Sequence, residues 1–107
     1  MFAGADLLVV PTCPSTAPRL PDGTVVVDGQ EFPLYAAQSR STMLGNLTGA
    51  PGLAVPTGLA PDGCPVSAQL VAPPHREATA LWAARVFQER TTHHLARPPM
   101  RLPPSLG

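Results

Sequence analysis

The stretch Asn46-Leu47-Thr48-Gly49-Ala50-Pro51-Gly52-Leu53-Ala54-Val55-Pro56-Thr57-Gly58, NLTGAPGLAVPTG, carries no acid, no base and no evident nucleophile. It reads as a helix exit running into a buried strand. Gly49 fits the left-handed position that closes a helix, and Pro51 stops the helix from resuming because it lacks the N–H and restricts the residue before it. Leu53-Ala54-Val55 is short and apolar, and Pro56-Thr57-Gly58 is expected to end it. The predicted order is helix, tight turn, buried strand, with the geometry set by Gly and Pro.

Working outward, residues from Tyr35 to about Leu47 favour a helix, with Ala36, Ala37, Met43, Leu44 and Leu47 as a ragged apolar stripe. Downstream, Asp62-Gly63 is a turn signal, and Pro65 to Val71 alternates as a strand does, so residues 53–71 are expected to pair as an antiparallel hairpin. After Pro73-Pro74, Arg76 to about Thr91 form the clearest helix. Ala78, Leu81, Trp82 and Val86 fall on one side and Glu77, Arg85, Gln88 and Glu89 mostly opposite, with Trp82 and Phe87 expected as core contacts.

Toward the N-terminus, Leu7-Leu8-Val9-Val10 is a continuous apolar run stopped at Pro11-Thr12, as for a strand buried on both faces. Residues 13–23 hold three prolines and a closing Asp22-Gly23 turn signal, so they are expected to cross the surface irregularly. Thr24 to Val27, followed by the turn signal Asp28-Gly29, is either a hairpin arm or an excursion from the main sheet. Residues 96–107 are Pro-rich without periodicity and read as an extended or disordered tail. The series strand, loop, helix, strand, strand, helix points to an α/β or α+β piece.

Composition limits the function. A chain of 107 residues is one domain at most, and a chain of this size buries only roughly 60–70% of its unfolded surface. The seven basic residues, all Arg, balance seven acids with no basic stripe, which argues against nucleic acid or an anionic membrane as partner. The segment MFAGADLLVVPT lacks a basic leader and a cleavage pattern, and its apolar run is far short of the roughly 20 residues that span a bilayer, so a soluble, cytoplasmic protein is expected. Cys13 and Cys64, in apolar contexts and without zinc-type spacing, are expected to be reduced, buried and inert.

The common catalytic patterns do not fit. None of Ser15, Ser39, Ser41, Ser67 or Ser105 has the glycine neighbours of a nucleophile elbow. A Cys64–His75 thiolate–imidazole pair has only weak support. His93-His94 are adjacent on a helix end, about 100° apart, and cannot easily share a metal, so a capping or solvent role is expected. Gly45 to Gly52 lacks the Gly-Lys-Ser/Thr ending of a phosphate cradle, and Asn46-Leu47-Thr48 matches a glycosylation acceptor by chance.

Taken together, NLTGAPGLAVPTG and the following DGCPVSAQLVAPPHREATAL resemble the closing region of the amidase signature family. The joined parts are an apolar strand ending Pro11-Thr12, a helix ending Asn46 to Pro51, a strand ending Val55 to Gly58, a Gly-x-Pro-Val-x-x-Gln-Leu-Val strand from Gly63 to Val71, and a helix starting near Glu77. Asn46, Gly49, Pro51, Pro56, Gly58 and Gln69 carry the structural motif. Ser67-Ala68 departs where relatives commonly have Gly, and Cys64 where Leu is usual.

The resemblance implies an α/β fragment of the amidase fold: a few strands of a mixed sheet with two flanking helices, residues 1–95 forming the C-terminal part and 96–107 a tail. Family members hydrolyse amides, or pass the ammonia on, with a serine nucleophile, a second serine and a lysine base, carried on a Gly-Gly-Ser-Ser-Gly-Gly-Ser-like segment. That segment is not in this sequence, which also has no lysine. An alcohol needs a placed base to become a nucleophile, and Arg stays protonated.

Further expectations follow from the resemblance. No catalytic residue, metal or cofactor is assigned to the chain. Ser39 and Arg40 fall where the branch acting on glutamine for charged tRNA has an acidic substrate contact, which counts against that branch. Arg40 is read either as a contact to an anionic or polar substrate group or as a solvated helix residue. The implied partner is the remaining N-terminal part of an amidase, or a chain supplying it, acting on a small amide. The second reading is a non-catalytic assembly module that docks through exposed strands.

Overall fold

The computed structural model describes residues 2–19 and 23–99. Seven elements and a terminal turn of 3-10 helix follow one another: β1 (Leu8–Pro11), β2 (Thr24–Val27), β3 (Gln30–Pro33), α1 (Leu34–Thr48), β4 (Gly52–Leu59), β5 (Pro65–Val71), α2 (Glu77–Glu89) and a 3-10 helix at His93–Leu95. The strands make a three-stranded sheet in the order β1-β5-β4 and a two-stranded sheet of β2 and β3.

The opening stretch folds largely as its glycines and prolines dictate. Gly49 ends α1 at φ 68°, its N–H donating to Gly45 O at 2.9 Å. The Thr48 hydroxyl donates to Leu44 O and accepts from Ala50 N, so two backbone groups at the helix exit are satisfied by one side chain. Pro51 O accepts from Ala72 N at 3.0 Å, which starts the β4–β5 ladder.

β4 and β5 form the expected antiparallel hairpin, but β4 does not stop at Pro56. The ladder shifts register between Pro56 and Gly58, and Gly58 takes φ 136°, a value open to glycine and hardly to anything else. Because the Pro51–Ala72 and Thr12–Ser67 bonds alternate along β5, the backbone groups of Gly52, Ala54 and Pro56 point away from β5. Pro56 therefore sits in an edge strand without breaking a ladder bond.

Each neighbouring pair, β1–β5, β4–β5 and β2–β3, is antiparallel. The mixed sheet expected from the resemblance is thus represented here by antiparallel pairs only. A parallel neighbour needs a crossover of a dozen or more residues, and the one helical crossover, α1, joins two different sheets.

Alternation on the sheet decides the core. Leu53 and Val55 of β4 with Ala68 and Leu70 of β5 share a face with Ala72, and α2 lies on it through Ala80, Ala83, Ala84 and Phe87. Those four positions follow the i, i+3, i+4, i+7 spacing of one helix face. The stripe expected through Ala78, Leu81, Trp82 and Val86 is out of phase with it: Leu81 is 59% and Trp82 66% exposed. Small side chains let the helix approach the sheet closely, and the bulky ones are left outside. Phe87 does pack on the core, whereas Trp82 does not.

β1 is likewise not buried on both faces. It is an edge strand with alternating exposure, and Val9, paired with Leu70, remains 65% exposed. β2 finds its partner in β3 through a two-residue turn at Asp28 and Gly29, both at positive φ. Five of the nine buried core residues are Ala, which makes the core thin. Of the tail expected at 96–107, residues 100–107 lie outside the described residues, as does Asp22 of the expected turn.

Candidate functional site

The first turns of α1 lie over the loop that follows β1, and consecutive residues there face different surroundings. Ser39, half-buried, donates its hydroxyl to Tyr35 O at 2.7 Å, a bond back into its own helix. Arg40 is exposed and borders a shallow cleft of about 40 Å³ with Pro14, Val27, Phe32 and Ala37. Gln38 instead lines a cleft of about 210 Å³ together with Cys13, Ser15 and Ser67. Ser39 and Arg40 do not line this larger cleft.

This cleft exists because β1 pairs with β5. The pairing of Pro11 with Ala68 and the bond from Thr12 N to Ser67 O, 3.2 Å, bring the loop after β1 beside the start of β5. A second tie lies further along that loop. Asp62, in the β4–β5 turn, accepts from the Thr16 hydroxyl at 2.7 Å and from Cys64 N at 2.9 Å. The hydrogen bond from Thr16, followed by that from the Cys64 backbone, holds the Asp62 carboxyl below its ordinary value.

Two buried hydroxyl oxygens on this loop, Thr12 Oγ1 and Ser15 Oγ, have no hydrogen-bond partner among the described residues. Neither do the described residues satisfy Gln69 Oε1 on β5, although Gln69 is buried. The side chain of Gln69 packs flat over Gly52 of β4, where a Cβ would collide with Nε2.

The remaining motif residues are structural in placement. Asn46 is exposed on α1, Gly49 caps it, Pro51 begins the ladder, and Pro56 and Gly58 flank the bulge. Cys13 and Cys64 are both free thiols, but Cys13 is exposed and Cys64 half-buried, so the expectation of buried cysteines fails. The loop after β1 runs along the surface and turns Cys13 to a cleft wall. Cys64 precedes β5 and His75 follows it by four residues, so a seven-residue strand, roughly 20 Å long at the usual rise, lies between them and speaks against that pair.

His93 and His94 begin the 3-10 helix and do not end α2. The His93 ring stacks on Phe87 with centroids 6.1 Å apart and lies over Gly58. Both imidazoles border a cleft of about 410 Å³ walled by Pro56, Leu59 and Pro65. No group of three or more metal-ligating side chains occurs among the described residues, and no helix among them is long and apolar enough to cross a membrane.

A family model described as Amidase matches residues 1–81. The chain belongs to the amidase family. It is 38% identical over 94 residues to a glutamyl-tRNA(Gln) amidotransferase subunit from Methanosarcina acetivorans, covering 88% of this chain and 18% of that protein. The corresponding protein of Carboxydothermus hydrogenoformans is 39% identical, covering 91% and 19%. A fatty acid amide hydrolase of Medicago truncatula is 31% identical, covering 92% and 16%. Among solved structures, a chain described with a vestigial protein complex and the origins of an s-triazine catabolic enzyme superposes with a TM-score of 0.78 at 32% identity, covering 83% of this chain and 20% of that one. This amidase chain thus spans about a fifth of the length of the relatives it matches.

Gln38, Ser15 and Ser67 were not legible as a cluster in the sequence. They are far apart along the chain, and only the antiparallel pairing of β1 with β5 brings the latter two together. The strand expected at Leu7 to Val10 was the one available signal, since it had to find a sheet partner.

Proposed function

We propose that this chain is the C-terminal wall of an amide-hydrolysing enzyme and is inactive alone. The reaction of the complete enzyme converts a carboxamide to a carboxylate and ammonia or an amine. The observation that carries this reading is the alignment of nearly the whole chain with about a fifth of each amidase relative. The Ser-Ser-Lys chemistry implied by the family resemblance belongs to the other four-fifths. With no lysine in the sequence, the base that activates the serine comes from that part. Residues 1–95 form the wall and 96–107 a tail. Ser39 and Arg40 approach the substrate from α1, with Arg40 offering a charge to a polar substrate group. Two free thiols suit a reducing compartment such as the cytoplasm.

The test is a chimera in which this chain replaces the aligned segment of the Medicago fatty acid amide hydrolase. Amide hydrolysis by a soluble chimera supports the reading. A soluble, folded chimera without activity contradicts it.

A second reading, a non-catalytic assembly module, is favoured by one observation. Among the described residues the edge strands of the three-stranded sheet, β1 and β4, have no partner on their outer sides, and open strand edges invite pairing with another chain. Such a module docks on a partner through the outward edges of β1 and β4, and it forms a stable complex that has no amide-hydrolysing activity of its own.

A further inference from the structure

Cys13 and Cys64 lie far apart along the chain, yet the fold sets them on neighbouring segments. The β1–β5 register pairs Pro11 with Ala68, and the bond from Thr12 N to Ser67 O at 3.2 Å continues it by one residue. Further along, the Thr16 hydroxyl donates to the Asp62 carboxylate at 2.7 Å. Residues 12–16 and 62–67 therefore run side by side in opposite directions, tied at both ends, with one thiol on each segment between the ties.

In that register Cys13 falls opposite Val66, which borders the same cleft. Cys64 is two residues further on, a diagonal neighbour on the same face. Diagonal neighbours stand about 7–8 Å apart at Cα, and a disulfide needs about 7 Å or less, so a gap of about 1–2 Å remains. The loop is free to close it. Cys13, Pro14 and Ser15 make no backbone–backbone hydrogen bond among the described residues, and Pro14 has no N–H to offer. Cys64 is held in place, its N–H donating to Asp62 at 2.9 Å. Both thiols are free, Cys13 exposed and Cys64 half-buried.

We infer that Cys13 and Cys64 are a reversible thiol–disulfide pair, oxidised by a small-molecule disulfide, that fastens the loop after β1 to the β4–β5 turn. The Cys13 thiolate, the more accessible of the two, attacks one sulfur of the small disulfide, and a small thiolate leaves. The Cys64 thiolate then attacks Cys13 Sγ, the protein disulfide forms, and the second small thiolate leaves. Two protein thiols thus lose two electrons and two protons, which the small disulfide takes up as it becomes two thiols. Because Cys13 lines the cleft of about 210 Å³ beside α1, drawing it toward Cys64 moves that wall, and the redox state of the pair sets the cleft's shape. The pair is a property of this chain and stands whatever the complete enzyme acts on.

The experiment equilibrates the purified full chain with glutathione buffers graded from reduced to oxidised, in native buffer and in urea. The reaction is stopped with acid and the products are read by non-reducing mass spectrometry. The expected native product is a monomer lighter by two hydrogen atoms, with the Cys13 and Cys64 peptides linked. Its equilibrium constant against glutathione should exceed the urea value at least about tenfold, because the fold presents the thiols to each other while the unfolded chain must close the same loop at random. The oxidised chain should accordingly melt at least about 5 °C above the reduced one. Cys13→Ser and Cys64→Ser should each stop at a mixed disulfide with glutathione. A native constant no higher than the urea value overturns the inference. So does an end product of mixed disulfides or of disulfide-linked dimers, and so does a linked monomer that melts no higher than the reduced chain.

Discussion

At the residue scale, glycine and one aspartate decide most of what is local. Gly49 holds φ 68° at the end of α1 with open space where a Cβ would go. Gly49→Ala is expected to cost about 1–2 kcal/mol, because left-handed backbone is unfavourable for L-residues, and Gly49→Asn clearly less; urea midpoints check this. Gly58 is stricter, with φ 136° and the His93 ring 3.6 Å from a would-be Cβ. Gly58→Ala should therefore destabilise more than Gly49→Ala. Asp62 has a depressed pKa in the fold, so its ties are intact above its ordinary value of 3.8 and are lost as pH falls through the lower folded value. The amide resonances of Thr16 and Cys64 should move together in that acidic window, and Asp62→Asn should remove the transition.

At the scale of elements, the sequence was most readable where Gly and Pro impose the chain's path. The helix exit at Gly49, the turn at Asp62-Gly63 and the β4–β5 pairing all follow from residues with few conformational choices. It was least readable where packing decides. The buried face of α2 runs through Ala80 and Ala84 because the helix approaches the sheet closely, and no weighting by side-chain size finds that phase. β3 escaped notice because Gln30-Glu31-Phe32-Pro33 lacks a strand-like pattern, and its pairing with β2 is set by the turn. The cleft polar groups were invisible for a related reason, since pairing across the sheet and not spacing along the chain assembles them. Ala84→Leu is expected to destabilise by about 1–3 kcal/mol through overpacking. Trp82→Ser should leave the melting temperature nearly unchanged, since Trp82 stands outside the core. Thermal melts of the two variants separate these effects.

At the scale of the whole molecule, a thin alanine-rich core is combined with open edges on β1 and β4 and with exposed Leu81, Trp82 and Val9. Unpaired strand edges and apolar patches promote association. The purified chain is expected to self-associate, with Leu81→Ser/Trp82→Ser shifting it toward monomer in sedimentation velocity. A wild-type chain that stays monomeric at high concentration and melts in one sharp transition would contradict that expectation. The same incompleteness governs chemistry, for a serine in this chain has no lysine to take its proton. The most direct measurement is the release of ammonia or amine from simple aryl and alkyl amides by the purified chain on its own. We predict no release above the buffer blank; steady enzymatic turnover by the chain alone would contradict its role as one wall of a larger amidase.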